Sequence, residues 1–167
     1  AIPAVAKDTA GIIAVPETIG GYPVVSIGQY AFYGCGNLSL VILPSSLVSI
    51  GYYSFYNCKA LQSIVIPASV KAIDSYSFYN CTSLTNVVLG NVIVSIPNYA
   101  FYGCTSLRQI NIPNGITTIS DSAFYNCKVL QSIVIPDNVI NIGTYAFENC
   151  TSLTNIVFGK GITVIPN

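Results

Sequence analysis

The chain has no histidine, no methionine and no tryptophan, and only six basic and six acidic residues among 167. Without histidine, the commonest general base and one of the usual zinc ligands are both missing. The net charge is zero and no basic or acidic run exists. Phosphate binding needs clustered Lys and Arg, so nucleic acid is excluded as a partner, and an anionic membrane surface with it. Long apolar runs are missing too. Although 52% of residues are apolar, polar ones break every stretch well short of the roughly 18 residues a membrane helix needs. No membrane insertion is expected. No signal peptide is visible after Ala1, and the chain stops at Asn167 inside a repeat. A mature or trimmed piece of a longer protein is the expectation.

What is present is a period. Cys35, Cys58, Cys81, Cys104, Cys127 and Cys150 stand 23 residues apart. Phe32, Phe55, Phe78, Phe101, Phe124 and Phe147 keep the same spacing, as do Leu38, Leu61, Leu84, Leu107, Leu130 and Leu153. A fixed period of this length marks a solenoid, in which neighbouring coils bury for one another a core that no coil could bury alone. A longer period lies on top: "KALQSIVIP" at Lys59 returns as "KVLQSIVIP" at Lys128, three units later.

One unit can be walked around. Leu61 to Ile66 is rich in β-branched residues and stops at Pro67, which predicts a short strand with Ile64 and Ile66 inward and Val65 outward. Val70 and Ile73 mark a second extended stretch on the opposite side. Tyr76 to Tyr79 has room for a single helical turn. The residue before each cysteine is always Gly or Asn (Gly34, Asn57, Asn80, Gly103, Asn126, Asn149), which predicts a left-handed backbone ending that turn. The predicted class is an α/β-type repeat solenoid of short parallel strands and single helical turns, with a 23-residue period. In the first unit Val24 stands eight positions after Pro16, where later units need three. Residues 1–30 are therefore expected to be an N-terminal cap and atypical first coil, and residues 31–167 tandem repeats truncated within the last coil.

The "IP" after a strand, the "V..I" pair and six copies of "F-x-[GN]-C-x-x-L" resemble the BspA-like, or Treponema pallidum type, leucine-rich repeats. The resemblance covers about Val15 to Asn167. It implies a right-handed solenoid on secreted or cell-surface proteins, several of them adhesins that bind host extracellular matrix proteins. The ligand itself does not carry over, because a repeat fold hosts many partners.

Chemistry finds little purchase. Zinc needs ligands converging at short spacings, and nucleophilic catalysis needs a base beside the thiol. Parallel side chains in one column do not meet the strict geometry of a disulfide. The cysteines read as a buried packing column, with no metal, no disulfide and no cofactor expected. Asp8, Glu17, Asp74, Asp121, Asp137 and Glu148 share no column and read as solvated turn residues. Three sequons begin at Asn37, Asn80 and Asn149, open to glycans only in a eukaryotic secretory protein.

Two further columns stand out. Tyr30, Tyr53, Tyr76, Tyr99 and Tyr145 form one tyrosine column, and Tyr33, Tyr56, Tyr79, Tyr102 and Tyr125 the other, interrupted at Ser122 and Glu148. They can support the wall or serve as a contact surface. On the strand face the outward position holds Ile42, Val65, Val88, Asn111, Val134 and Val157. It is flanked by Ser63, Asn86, Gln109, Ser132 and Asn155, with Leu40 the exception. An apolar stripe edged by amides and hydroxyls reads as a ligand-binding face; strand propensity alone can also place valine there. The expected function is non-catalytic: a protein-recognition or adhesion module, extracellular or on a cell surface, with a protein ligand. The alternative is a structural spacer that assembles end to end through its open coils. An enzyme is disfavoured, since no polar cluster exists.

Overall fold

β-Branched runs closed by Pro or Gly set the strands, and the turns between them set a coil with three sides. The computed structural model describes residue 2 and residues 4–164. Fifteen short strands follow in order. They are β1 (Ala10–Ala14), β2 (Thr18–Ile19), β3 (Tyr22–Pro23), β4 (Ser26–Ile27) and β5 (Asn37–Ile42). Next come β6 (Ser49–Ile50), β7 (Ser63–Val65), β8 (Ala72–Ile73), β9 (Asn86–Val88) and β10 (Ser95–Ile96). The last are β11 (Gln109–Ile110), β12 (Thr118–Ile119), β13 (Ser132–Val134), β14 (Asn141–Ile142) and β15 (Asn155–Val157). The result is a parallel-strand solenoid of about six turns.

One side carries β1-β5-β7-β9-β11 and then, separately, β13-β15; the second carries β4-β6-β8 and β10-β12-β14. Ser63 pairs with Asn86 and Val65 with Val88, so like residues stack on like. The hairpin β2-β3 fills the enlarged first unit, and the Glu17 carboxylate beside it accepts the Ser45 N–H at 2.9 Å.

The second sheet divides where the chain loses a donor. Asp74 N–H donates to Ile50 C=O at 2.8 Å, and Ser120 N–H to Ile96 C=O at 2.9 Å. The equivalent residue between them is Pro97, which has no N–H to give. β8 and β10 accordingly do not pair.

The third side corrects the sequence reading: no helix forms there among the described residues. Alternate N–H groups are claimed by the next coil. Phe32 N–H donates to Ser54 C=O (2.7 Å) and Gly34 N–H to Tyr56 C=O (2.8 Å), while Tyr33 and Cys35 donate three residues back to Tyr30 and Phe32. A ladder shared between coils cannot also be an α-helical i→i−4 series. The Gly/Asn column is left-handed, with φ between 55° at Asn80 and 74° at Gly34. A second left-handed position is occupied by Tyr30, Tyr53, Tyr76, Tyr99, Ser122 and Tyr145. Two such residues four apart fold the chain into tight turns instead of a helical one.

Inside, the phenylalanine rings stack with centroids 4.9 to 5.4 Å apart. Phe32, Phe55, Phe78, Phe101 and Phe124 are buried, and Phe147, in the last coil, is half-buried. The cysteines lie beside them. Cys58 Sγ–H donates to Phe32 C=O at 3.0 Å, and Cys81, Cys104, Cys127 and Cys150 repeat the contact to Phe55, Phe78, Phe101 and Phe124. Cys35 has no earlier coil below it and turns to Ala6 C=O at 3.5 Å. Leu38, Leu61, Leu84, Leu107 and Leu130 complete the core, with Leu153 half-buried at the end.

Burial pushes the Cys58 and Cys104 thiols up to about 12. The native chain is therefore expected to resist a thiol reagent at pH 8, with Cys150, 8% exposed, reacting first. After denaturation without reductant, six thiols should react; finding none would contradict a column of free cysteines. Raised thiol pKa values also set a sign. This stability is full below the ordinary thiol value of about 8.5 and is lost as pH climbs toward the folded value.

Candidate functional site

The strand face collects the outward side chains of β5, β7, β9, β11, β13 and β15, because alternate residues of a strand point to opposite sides. Val65 and Val134 are each 61% exposed, and Ile42, Val88 and Val157 are exposed as well. Gln109, Ser132 and Asn155 are exposed beside them, while Ser63 and Asn86 are half-buried.

Asn111, the polar member of the apolar column, behaves differently. Elsewhere Ile66 N–H donates to Val88 C=O and Ile135 N–H to Val157 C=O, both at 2.8 Å. At the equivalent place Leu89 N–H donates to Asn111 Oδ1 (2.7 Å), and Asn111 Nδ2–H donates back to Leu89 C=O (3.1 Å). An amide spanning two backbone groups holds the main chain of residue 111 a side chain's length from its neighbour. Past this bridge β11 does not pair with β13, and the sheet divides there. The Ile112 N–H to Val134 C=O and Gln131 N–H to Arg108 C=O bonds, expected from the neighbouring coils, are not made.

A groove of about 550 Å³ opens at this division. Ile110 and Ile112 are half-buried on its floor, where Ile64, Ile66, Val87, Leu89, Ile133 and Ile135 of other coils are buried. Arg108, the one arginine of the chain, stands at one end and is the groove's sole charged residue. Sequence reasoning passed over Arg108, Ile110 and Ile112. The available signal was Asn111 itself, a poor strand residue in a column of β-branched ones.

On the third side the tyrosines form two ladders, stacked at 4.7 to 5.3 Å in the column of Tyr30 and 4.6 to 5.0 Å in that of Tyr33. Ring faces are covered by the next ring, so mainly edges and hydroxyls meet solvent. Ser122, which replaces a ring, is buried. Like Glu17, two further carboxylates serve backbone: Asp121 accepts Thr144 N–H at 2.8 Å and Asp137 accepts Lys160 N–H at 2.9 Å. Among the described residues no three Cys, Asp or Glu side chains converge as metal ligands would. Of the sequon asparagines, Asn37 and Asn149 are exposed and Asn80 half-buried.

Residues 19–93 and 83–167 match the BspA type leucine-rich repeat region, in six copies. The chain belongs to that family. No curated protein matches it closely enough to count as a relative. Among solved structures, the leucine-rich repeat protein of Treponema pallidum superposes with a TM-score of 0.74 at 28% identity, over 89% of this chain and 79% of that one. A leucine-rich cell surface protein of Faecalibacterium prausnitzii follows at 0.70 and 29%, over 95% and 49%. A leucine-rich repeat protein of Bacteroides ovatus gives 0.68 and 27%, over 93% of this chain. This chain spans 36% of the length of the Bacteroides ovatus protein. Such repeats are generally protein-interaction modules, typically non-catalytic and commonly surface-associated. Among the described residues no helix is long and apolar enough to cross a membrane.

The ladders have a titration signature. Burial, then the neighbouring tyrosines, raise the phenols of Tyr56, Tyr76 and Tyr79 above their ordinary value. Their contribution to stability is full below about pH 10, the ordinary phenol value, and is lost as pH rises through the raised ones. The phenolate absorbance lost on changing Tyr56, Tyr76 or Tyr79 to Phe should fall in the part of the alkaline titration that lags behind free tyrosine and accompanies unfolding. Ionisation of Tyr56, Tyr76 and Tyr79 near pH 10 in a chain that stays folded would contradict their burial in the stacked ladders.

Proposed function

We propose that this chain is the recognition part of a secreted or cell-surface adhesin, binding a protein ligand through its strand face. The observation that carries the reading is the exposed stripe of Ile42, Val65, Val88, Val134 and Val157 on a rigid parallel sheet. Exposed, contiguous apolar surface is limited in monomers unless something binds it, and a rigid scaffold keeps the entropy cost of binding low. The cell-surface role of the Faecalibacterium prausnitzii protein supports the location. A host extracellular matrix protein is the proposed partner, residues 1–30 act as the cap that seals the first coil, and the coil is right-handed. No catalytic role is proposed.

The test changes Val65, Val88 and Val134 together to Thr, which keeps branching and shape. Matrix proteins are captured, identified by mass spectrometry and titrated against both chains. Affinity should fall at least about tenfold, equal to about 1.4 kcal/mol, with the thermal melt close to the parent. Unchanged affinity would move the site off the stripe.

A further inference from the structure

We propose that the division at Asn111 is a specific subsite for an extended, apolar peptide segment of the partner that carries a carboxylate. The inference rests on the strand-face reading and narrows it to one place and one chemistry.

Shape comes first. The groove is lined on one lip by residues between Arg108 and Asn114 and on the other by residues between Ser132 and Pro136, with Asn86, Val87 and Val88 of β9 also lining it. At about 3.3 Å per residue, a lip of that length matches an extended segment of about six residues. Its volume of about 550 Å³ falls within the ordinary range for ligand sites. The floor is apolar and half-open, unlike the sealed core of other coils. Ile112 N–H and Arg108 C=O on one lip, Val134 C=O on the other and Gln131 N–H just before it hold positions that bond elsewhere and do not bond here. Each lip thus offers a backbone donor and acceptor, the pairing an extended peptide uses when it lies along a sheet.

Charge then sets the occupant's sign. Arg108 is exposed and no carboxylate lines the groove. Asp137 follows Pro136 at the far end, with its Oδ1 already accepting Lys160 N–H. The groove is therefore cationic at the Arg108 end, and a guanidinium fork suits a carboxylate held in two parallel hydrogen bonds. A peptide lying in the groove places its Glu or Asp there and its branched side chains over Ile110, Ile112 and Ile133.

The probe is a pooled library of hexapeptides of Val, Ile and Thr with a single Glu, against a second pool with Gln in its place. The Glu pool should bind at least about tenfold more tightly than the Gln pool, a difference of about 1.4 kcal/mol. Arg108→Gln should abolish that preference. Asn111→Val, which restores the apolar column and frees Leu89 to pair with backbone, should close the groove, protect the Ile112 and Gln131 amides from hydrogen exchange and remove binding. Val94→Thr, exposed beside β10 on the second side of the solenoid, should leave binding of the Glu pool unchanged. Equal binding of the two pools, a preference that survives Arg108→Gln, or no binding by either pool overturns the proposal. If the captured matrix protein is weakened by Val65→Thr and indifferent to Arg108→Gln, the strand face stands and the groove falls. If neither change matters to it, both fall.

Discussion

Five coils hang on one contact: a buried phenylalanine whose ring stacks on the next and whose carbonyl receives the thiol of the following coil. Cys58 on Phe32 and Cys81 on Phe55 show it at 3.0 and 3.1 Å. A thiol is a weak donor, so its role is as much one of fit as of hydrogen-bond strength. It is small enough to pack beside a ring and polar enough to meet a carbonyl that also accepts a local N–H. A stacked aromatic pair is worth about 0.5–1.5 kcal/mol beyond its burial. That margin helps to offset the left-handed tyrosines on the same side, each of which costs about 1–2 kcal/mol. Each contact is shared by two rings, so the four tyrosines from Tyr30 to Tyr99 have three stacked contacts to set against their strain.

The same repetition makes each exception legible as a structural event. Pro97 removes a single N–H and the second sheet divides between β8 and β10. Asn111 replaces a backbone contact with an amide bridge and the strand face divides between β11 and β13. The two breaks lie on different sides of the solenoid, so the unbroken phenylalanine and cysteine columns hold the coils in register past both. Local openings of this kind are tolerated where the core is continuous, and binding regions are drawn from such low-stability segments.

Much of this was legible in the residues. The 23-residue columns placed Phe, Cys and Leu, and the Gly/Asn alternation located a left-handed position. Alternation along β7 and β13 put Val65 and Val134 outward. Other features were not legible. The segment Tyr76 to Tyr79 suited a helical turn locally, but its N–H groups are divided between its own chain and the next coil, a competition no single unit reveals. Left-handed tyrosine was equally hidden: Ser122 and Tyr145, without a stacked ring, take the same backbone, so the turn rather than the side chain imposes it. The groove depends on where one asparagine sends its amide, and composition is silent on that.

The solenoid is closed by repeated inter-coil bonds except at a few defined places, and the one beside Arg108 is the proposed ligand subsite. Native-state amide hydrogen exchange tests it most directly. Phe32, Phe55, Phe78 and Phe101 donate into the next coil at 2.7 to 3.0 Å, and their amides should exchange slowly, while Ile112 and Gln131 exchange fast within the same folded chain. Equal protection of Ile112, Gln131 and the phenylalanine amides would mean that β11 and β13 are joined, and would contradict the account.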